Sequence, residues 1–138
     1  MRRFLFIVLI LVIPTSAWAG GFSGKYIGKL YLLGLKSNSV NSSQVSKSFS
    51  IRWSISDNGT TVLIRDASGS VRIRHRGANH AKGSGPIRRV LLDNGVECAH
   101  QNDYELERRG RLVGIAQRQN ILCEEGSYAQ ATYGNSFK

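Results

Sequence analysis

The fold is decided by residues 46–76, which read SKSFSIRWSISDNGTTVLIRDASGSVRIRHR. From Phe49 to Ile55 every second residue is apolar, and the residues between them are serine or arginine. A period of two is typical of a strand with one buried face. Asp57-Asn58-Gly59 then predicts a tight hairpin turn, because Asn-Gly accommodates the positive φ that such turns require. Residues 60–66 are rich in β-branched side chains and residues 71–76 alternate again, so the stretch predicts three consecutive antiparallel strands.

Short strands separated by turns continue toward both ends of the chain. Asp93-Asn94-Gly95 and Asn102-Asp103 are predicted turns, residues 77–86 form a looser segment, and residues 37–47, rich in serine and asparagine, form a long loop. No stretch shows the periodicity of an amphipathic helix of three turns. The remaining predicted strands are residues 24–33, 87–92, 96–101, 104–108, 111–119 and 128–133.

The number of strands favours a barrel. A meander of about eight antiparallel strands tends to close, because closure removes exposed edges. Gly24-Lys25-Tyr26 resembles the G-x-W motif that opens lipocalin barrels, with tyrosine in place of tryptophan, over three residues only. We expect an all-β fold, a small up-and-down meander that closes into a lipocalin-like or calycin-like β-barrel. A β-sandwich is the alternative, since periodicity alone does not separate the two.

The first 19 residues have the features of an export signal. Two arginines precede an unbroken apolar run over residues 4–13, and Pro14 breaks that run. Ala17-Trp18-Ala19 places small residues where signal peptidase reads them, which predicts cleavage after Ala19. The run is shorter than the ~20 residues that span a bilayer, so no transmembrane segment is expected after cleavage. The sequence predicts a signal peptide over residues 1–19, one all-β domain over residues 20–138, and export by the general secretory route to the periplasm or the extracellular space.

Two cysteines, Cys98 and Cys123, lie in the part predicted to be exported. A disulfide is the default state of such a pair in an oxidising compartment. It would stabilise the fold by ~3 kcal/mol through the unfolded chain. No C-x-x-C motif or Cys/His cluster accompanies them, so we predict no metal site.

Positive charge is the strongest indication of function. The chain has 19 Lys+Arg against 9 Asp+Glu. Arg72, Arg74 and Arg76 occupy one face of a predicted strand, about 7 Å apart, and the two preceding strands carry Arg52 and Arg65. Guanidinium groups bind phosphate, sulfate and carboxylate through paired hydrogen bonds. We predict that this basic face contacts an anionic polymer or a lipid headgroup surface of the envelope or extracellular space; export makes nucleic acid unlikely as the physiological partner.

Three other interpretations of the same sequence stay open. The arginines are also typical of a solvated face that pairs with Glu97, Glu105 and Glu107 and discourages edge aggregation. The inward phase of the strands predicts a candidate cavity, in which the protein would carry a small apolar ligand; its residues are Trp53, His75, His100 and Tyr104. A projecting loop over residues 37–47 or 77–86 would instead suit an inhibitor of a secreted enzyme.

Catalysis is not expected. The sequence has no G-x-S-x-G nucleophile motif, and both cysteines are assigned to a disulfide. Glu105 and Glu107 share the outward phase of a strand, and Glu124 and Glu125 fall in a turn, so neither pair suggests a general acid and base. We therefore predict a binding protein that is not an enzyme and has no cofactor.

Overall fold

Strands account for most of residues 21–40 and 42–138, the part that this computed structural model describes. A short 3-10 turn, Ser42–Gln44, lies between the first two strands. The predicted signal peptide and its cleavage site lie outside the described residues. The strands are β1 (Gly24–Ser37), β2 (Ser48–Asp57), β3 (Thr61–Asp66), β4 (Gly69–Gly77), β5 (His80–Ser84), β6 (Arg88–Leu91), β7 (Glu97–Arg109), β8 (Leu112–Cys123) and β9 (Tyr128–Phe137).

Eight of these strands close into an antiparallel barrel. Each strand from β1 to β5 pairs with the next, β5 pairs with β7, and β7, β8 and β9 follow in order. β9 pairs with β1, with Tyr31 opposite Gly134 and Ser37 opposite Ala129, and the β5–β7 pairing closes the ring. β6 is an additional strand that pairs with the first residues of β7. The predicted eight-stranded barrel is confirmed, and the sandwich alternative is wrong because the sheet is continuous.

The strand that closes the barrel lies in the segment predicted to be loose. Within residues 77–86, β5 pairs with β4 on one side and β7 on the other. Ala81 is fully buried, and a Cβ at Gly83 would lie 2.8 Å from Cγ2 of Ile73. β5 therefore requires small residues where it packs against Ile73. Because these residues are not β-branched, the sequence of β5 lacks the pattern by which a strand is predicted.

The predicted turn at Asn102-Asp103 is also absent, because β7 runs through it. Asn102 and Asp103 pair with Gln119 and Arg118 of β8. The Asp103 carboxylate accepts hydrogen bonds from Ser84 Oγ at 2.6 Å and from Asn120 Nδ2 at 3.0 Å. Cross-strand partners thus satisfy the side chain that would otherwise favour a turn.

Two predicted turns are confirmed in their conformation. Gly59 has φ 91° and Gly95 has φ 84°. Asp57 and Asn58 hold the first turn, since Asp57 Oδ1 accepts the Gly59 N–H at 2.8 Å and Asn58 Oδ1 accepts the Thr61 N–H at 2.8 Å. Such side-chain acceptors are the reason for the frequency of Asp and Asn in turns.

The barrel interior is filled by one cluster of buried side chains. An eight-stranded barrel is just wide enough for its inward side chains to meet at the axis. The cluster contains Phe22, Tyr26, Leu30, Ile51, Trp53, Ile55, Val62, Ile64, Ile73, Ala81, Tyr104, Leu106, Val113, Ile115, Ala131 and Tyr133.

Cys98 and Cys123 lie opposite each other in the β7–β8 ladder and form a disulfide, as predicted.

The two ends of the barrel differ. At one end, here called the closed end, Phe22 enters the core and its backbone N–H donates to Asp57 Oδ2 at 3.0 Å. The Tyr26 hydroxyl donates to the Phe22 carbonyl at 2.8 Å, and the Arg108 guanidinium donates to the carbonyl of Gly21. At the other end, here called the open end, β7 and β8 extend past the β3–β4 turn together with β6.

Candidate binding surfaces

The five predicted arginines form one continuous band on the outer surface. Along β4, Ile73 is buried while Arg72, Arg74 and Arg76 are exposed. Arg65 of β3 pairs with Ser70, which makes it a diagonal neighbour of Arg72. Arg65 also pairs with Ser54 of β2, which makes it a diagonal neighbour of Arg52. Same-face and diagonal neighbours in a sheet lie about 7 Å apart, so each arginine is one such step from the next.

The end of this arginine band is shaped by a β-bulge. The register between β4 and β5 shifts between His75 and Gly77, so Arg76 is the extra residue. Lys82 of β5 lies directly opposite Arg74 and is exposed. A sixth positive charge thus borders the arginine band, which consists of Arg52, Arg65, Arg72, Arg74 and Arg76.

No carboxylate neutralises the arginine band within the described residues. None of its five guanidinium groups has a carboxylate oxygen within 4.0 Å in that part of the chain. Residues 24–84 contain ten lysines and arginines but only two acids, Asp57 and Asp66. Asp57 is engaged by backbone amides and His75, and Asp66 Oδ1 accepts the N–H groups of Ser68 and Gly69. Both carboxylates therefore accept hydrogen bonds at or near turns and do not pair with the arginine band.

The acids predicted as alternative partners lie on β7 and do not pair with the arginine band, although Glu105 lies directly opposite Lys82 at its border. Glu97 pairs with Arg89 at 3.3 Å and Glu107 pairs with Arg109 at 3.0 Å. Glu105 contacts His80 Nε2 at 2.6 Å. Residues 85–138 contain seven basic and seven acidic residues, so the net positive charge of the barrel is concentrated on β1–β5.

The structure places three of the four candidate-cavity residues, Trp53, Tyr104 and His100, toward one end of the barrel and separates His75 from them. Trp53 is 5% exposed and lies in the filled core, with its ring centroid 5.7 Å from that of Tyr104. His75 lies at the closed end, where its Nε2 is 2.7 Å from Asp57 Oδ1 and its ring contacts Phe22. His100 and Tyr104 lie at the open end. The two histidines share the inward phase but occupy opposite ends of the barrel.

A depression of about 350 Å³ lies at the open end. Its walls come from the β3–β4 turn, the β5–β6 connection and the extended parts of β7 and β8. Gln117 and Tyr104, only 6% and 8% exposed, are its most buried polar side chains. Gln117 was not predicted as a site residue, although a glutamine in the inward phase between Ile115 and Ile121 marks an interrupted core.

Buried hydrogen bonds organise the base of the depression. Burial raises the pKa of the Tyr104 hydroxyl, and hydrogen bonds from the side chains of Asn102 and Gln117 partly offset that effect. Gln117 Oε1 is buried and has no hydrogen-bond partner among the described residues. The carbonyl oxygen of the Gln117 amide is therefore an unused acceptor.

The comparisons assign no family to this chain: no protein-family model, no curated protein and no solved structure matches it. In the described part of the chain, no helix is long and apolar enough to cross a membrane.

Proposed function

We propose that this chain is an exported, non-catalytic binding protein whose arginine band contacts anionic polymers of the envelope or extracellular space. The observation that carries the proposal is the band itself, five arginines without a carboxylate partner in the described part of the chain. The disulfide supports an oxidising compartment. The predicted signal peptide supports export.

Repulsion within the arginine band favours a bound polyanion. Two unit charges about 7 Å apart in water repel by about 0.6 kcal/mol before salt screening. Salt screens charges over ~8 Å at physiological ionic strength, so the repulsion is reduced but persists between neighbours. A polymer with repeating phosphate, sulfate or carboxylate groups would relieve several of these contacts at once and release its own counterions.

The test compares two triple variants with equal loss of charge. Arg72→Ser/Arg74→Ser/Arg76→Ser removes three charges from the arginine band. The control, Arg89→Ser/Arg109→Ser/Arg111→Ser, removes three exposed charges from the other half of the barrel, two of them in surface ion pairs of small energetic value. Binding to immobilised heparin and lipopolysaccharide is measured over a range of salt concentrations.

The expected result is a change in salt dependence that is specific to the band. About 0.7 counterions are released per contact with a flexible chain, so five contacts in the unsubstituted protein give a slope of log K against log salt of about −3.5. The band variant keeps two of these contacts and should give a slope of about −1.4. The control should keep the slope of the unsubstituted protein, and both variants should keep its thermal stability. If the two triple variants lose affinity equally, the band is only a solvated face and the proposal fails.

A further inference from the structure

The depression at the open end has polar walls, which distinguishes it from the filled apolar core below it. Amide side chains from β7 and β8 line it, and the β3–β4 turn adds serine hydroxyls. An amide side chain can both donate and accept, as can a hydroxyl, although the Asn120 amide and the Gln101 amide nitrogen are already engaged within the protein. Apolar contacts come from Ile64, Val71 and the Tyr104 ring. Such a lining matches a small molecule with hydroxyl groups at its edge and an apolar C–H face.

The charge of the walls is balanced. Asp66 and Arg88 are the acid and the arginine among the lining residues. The Asp66 carboxylate is already held by the amides of its own turn, and Arg88 is exposed at the rim. This site therefore lacks the accumulated positive charge of the arginine band and does not favour an anion.

The unused acceptor at the base is the strongest indication of a ligand. A buried carbonyl oxygen without a partner carries a free-energy cost that a hydrogen-bond donor would remove. Within the described residues Gln117 Oε1 is such an oxygen, on a side chain that lines the depression. A purely apolar ligand would leave it unpaired. A hydroxyl group would satisfy it once the Gln117 amide turns toward the depression, because Oε1 in its present orientation is closed to solvent.

We propose that the depression at the open end binds a small neutral polyol, of the size of one sugar ring, with a hydroxyl group donating to Gln117 Oε1. The volume of about 350 Å³ lies at the lower end of the range for small-molecule sites, which suits a single ring. This site is separate from the arginine band and does not depend on the function proposed for it.

Trp53 provides the readout. It is the only tryptophan in residues 20–138, and its ring contacts Tyr104 beneath the depression. The mature protein is titrated with a panel of neutral hexoses, N-acetylglucosamine and inositol, with toluene as an apolar probe and glucuronate as an anionic one. Trp53 emission is followed together with the side-chain amide resonance of Gln117.

The expected result is a saturable response to at least one neutral polyol. Gln117→Leu, which retains apolar volume but removes the acceptor, should weaken that binding about tenfold. Asn135→Leu also replaces an amide by an apolar side chain, on β9, where Asn135 donates to the Lys29 carbonyl away from the depression, and should leave binding unchanged. The triple arginine variant should also bind the polyol normally, which separates this site from the arginine band.

Three results would overturn the proposal. They are no response of Trp53 or of the Gln117 amide to any neutral polyol, a response to toluene alone, and polyol binding that Gln117→Leu leaves intact. If Gln117→Leu does not fold, the Gln117 amide resonance of the unsubstituted protein decides, because a bound hydroxyl must shift it.

Discussion

Removal of the Cys98–Cys123 disulfide should lower the stability of the barrel by an amount that the sequence separation determines. The two cysteines are 25 residues apart. In the chain-entropy treatment, closing a loop of that length lowers the unfolded-state entropy enough to stabilise the native state by about 3.5 kcal/mol. For a domain of this size about 4 °C accompanies each kcal/mol, so Tm should fall by about 14 °C.

The measurement is urea unfolding of the oxidised protein, the reduced protein and the Cys98→Ala/Cys123→Ala variant. The reduced protein keeps both sulfur atoms in the core, so the decrease in its free energy of unfolding reports the effect of the cross-link alone. The variant also loses packing, since Cys98 is 2% exposed, and should be somewhat less stable than the reduced protein. A loss below about 1 kcal/mol on reduction would refute the reasoning, because it would mean that the unfolded chain gains little freedom.

Two further predictions concern the closed end and the barrel closure. Burial raises the pKa of Asp57, but hydrogen bonds from Gly59, His75 and Phe22 outweigh it and lower the pKa below its usual 3.8. The ionised carboxylate therefore stabilises the fold above pH 3.8, and this stabilisation is lost as the pH falls through the lower pKa of the folded state. Urea unfolding should accordingly show that Asp57→Asn lowers the free energy of unfolding at pH 7, and that this loss becomes smaller below about pH 4. In thermal denaturation, Gly83→Ala should cost about 1–3 kcal/mol because its Cβ would overlap Ile73. Gly34→Ala, where nothing lies within 4 Å, should cost little; equal effects of the two alanines would contradict this account of closure.

The sequence predicted the elements whose side chains alternate strongly. β2 and β4 carry large apolar residues on one face and serine or arginine on the other, so their phase is unambiguous. The arginine band follows from the same phase, although its continuity from Arg52 to Arg76 depends on the register between strands. Register is set by the hydrophobic pattern of both strands together with the turn between them, so one strand alone does not determine it.

Other features were not predictable from periodicity. A period of two separates inside from outside, but it does not give the height of a residue along the barrel axis. His75 and His100 therefore share a phase and still lie at opposite ends. β5 was not predicted for a different reason, because its close packing against Ile73 favours alanine and glycine over β-branched residues. Gln117 was missed because two glutamines, Gln117 and Gln119, in an otherwise apolar inward row do not indicate a binding site until the neighbouring strands are known.

The β3–β4 hairpin connects the two proposed binding surfaces. Hairpin residues between Asp66 and Val71 form one wall of the depression, and Arg65 and Arg72 of the arginine band flank this stretch on its two sides. A polymer of neutral rings and anionic groups would be able to place a terminal ring in the depression and its charges along the band. Linking two weak contacts in one chain raises overall affinity through effective concentration without any new contact. Because the hairpin joins them, the arginine band and the depression at the open end would be able to bind the same ligand, even though each is proposed from separate observations.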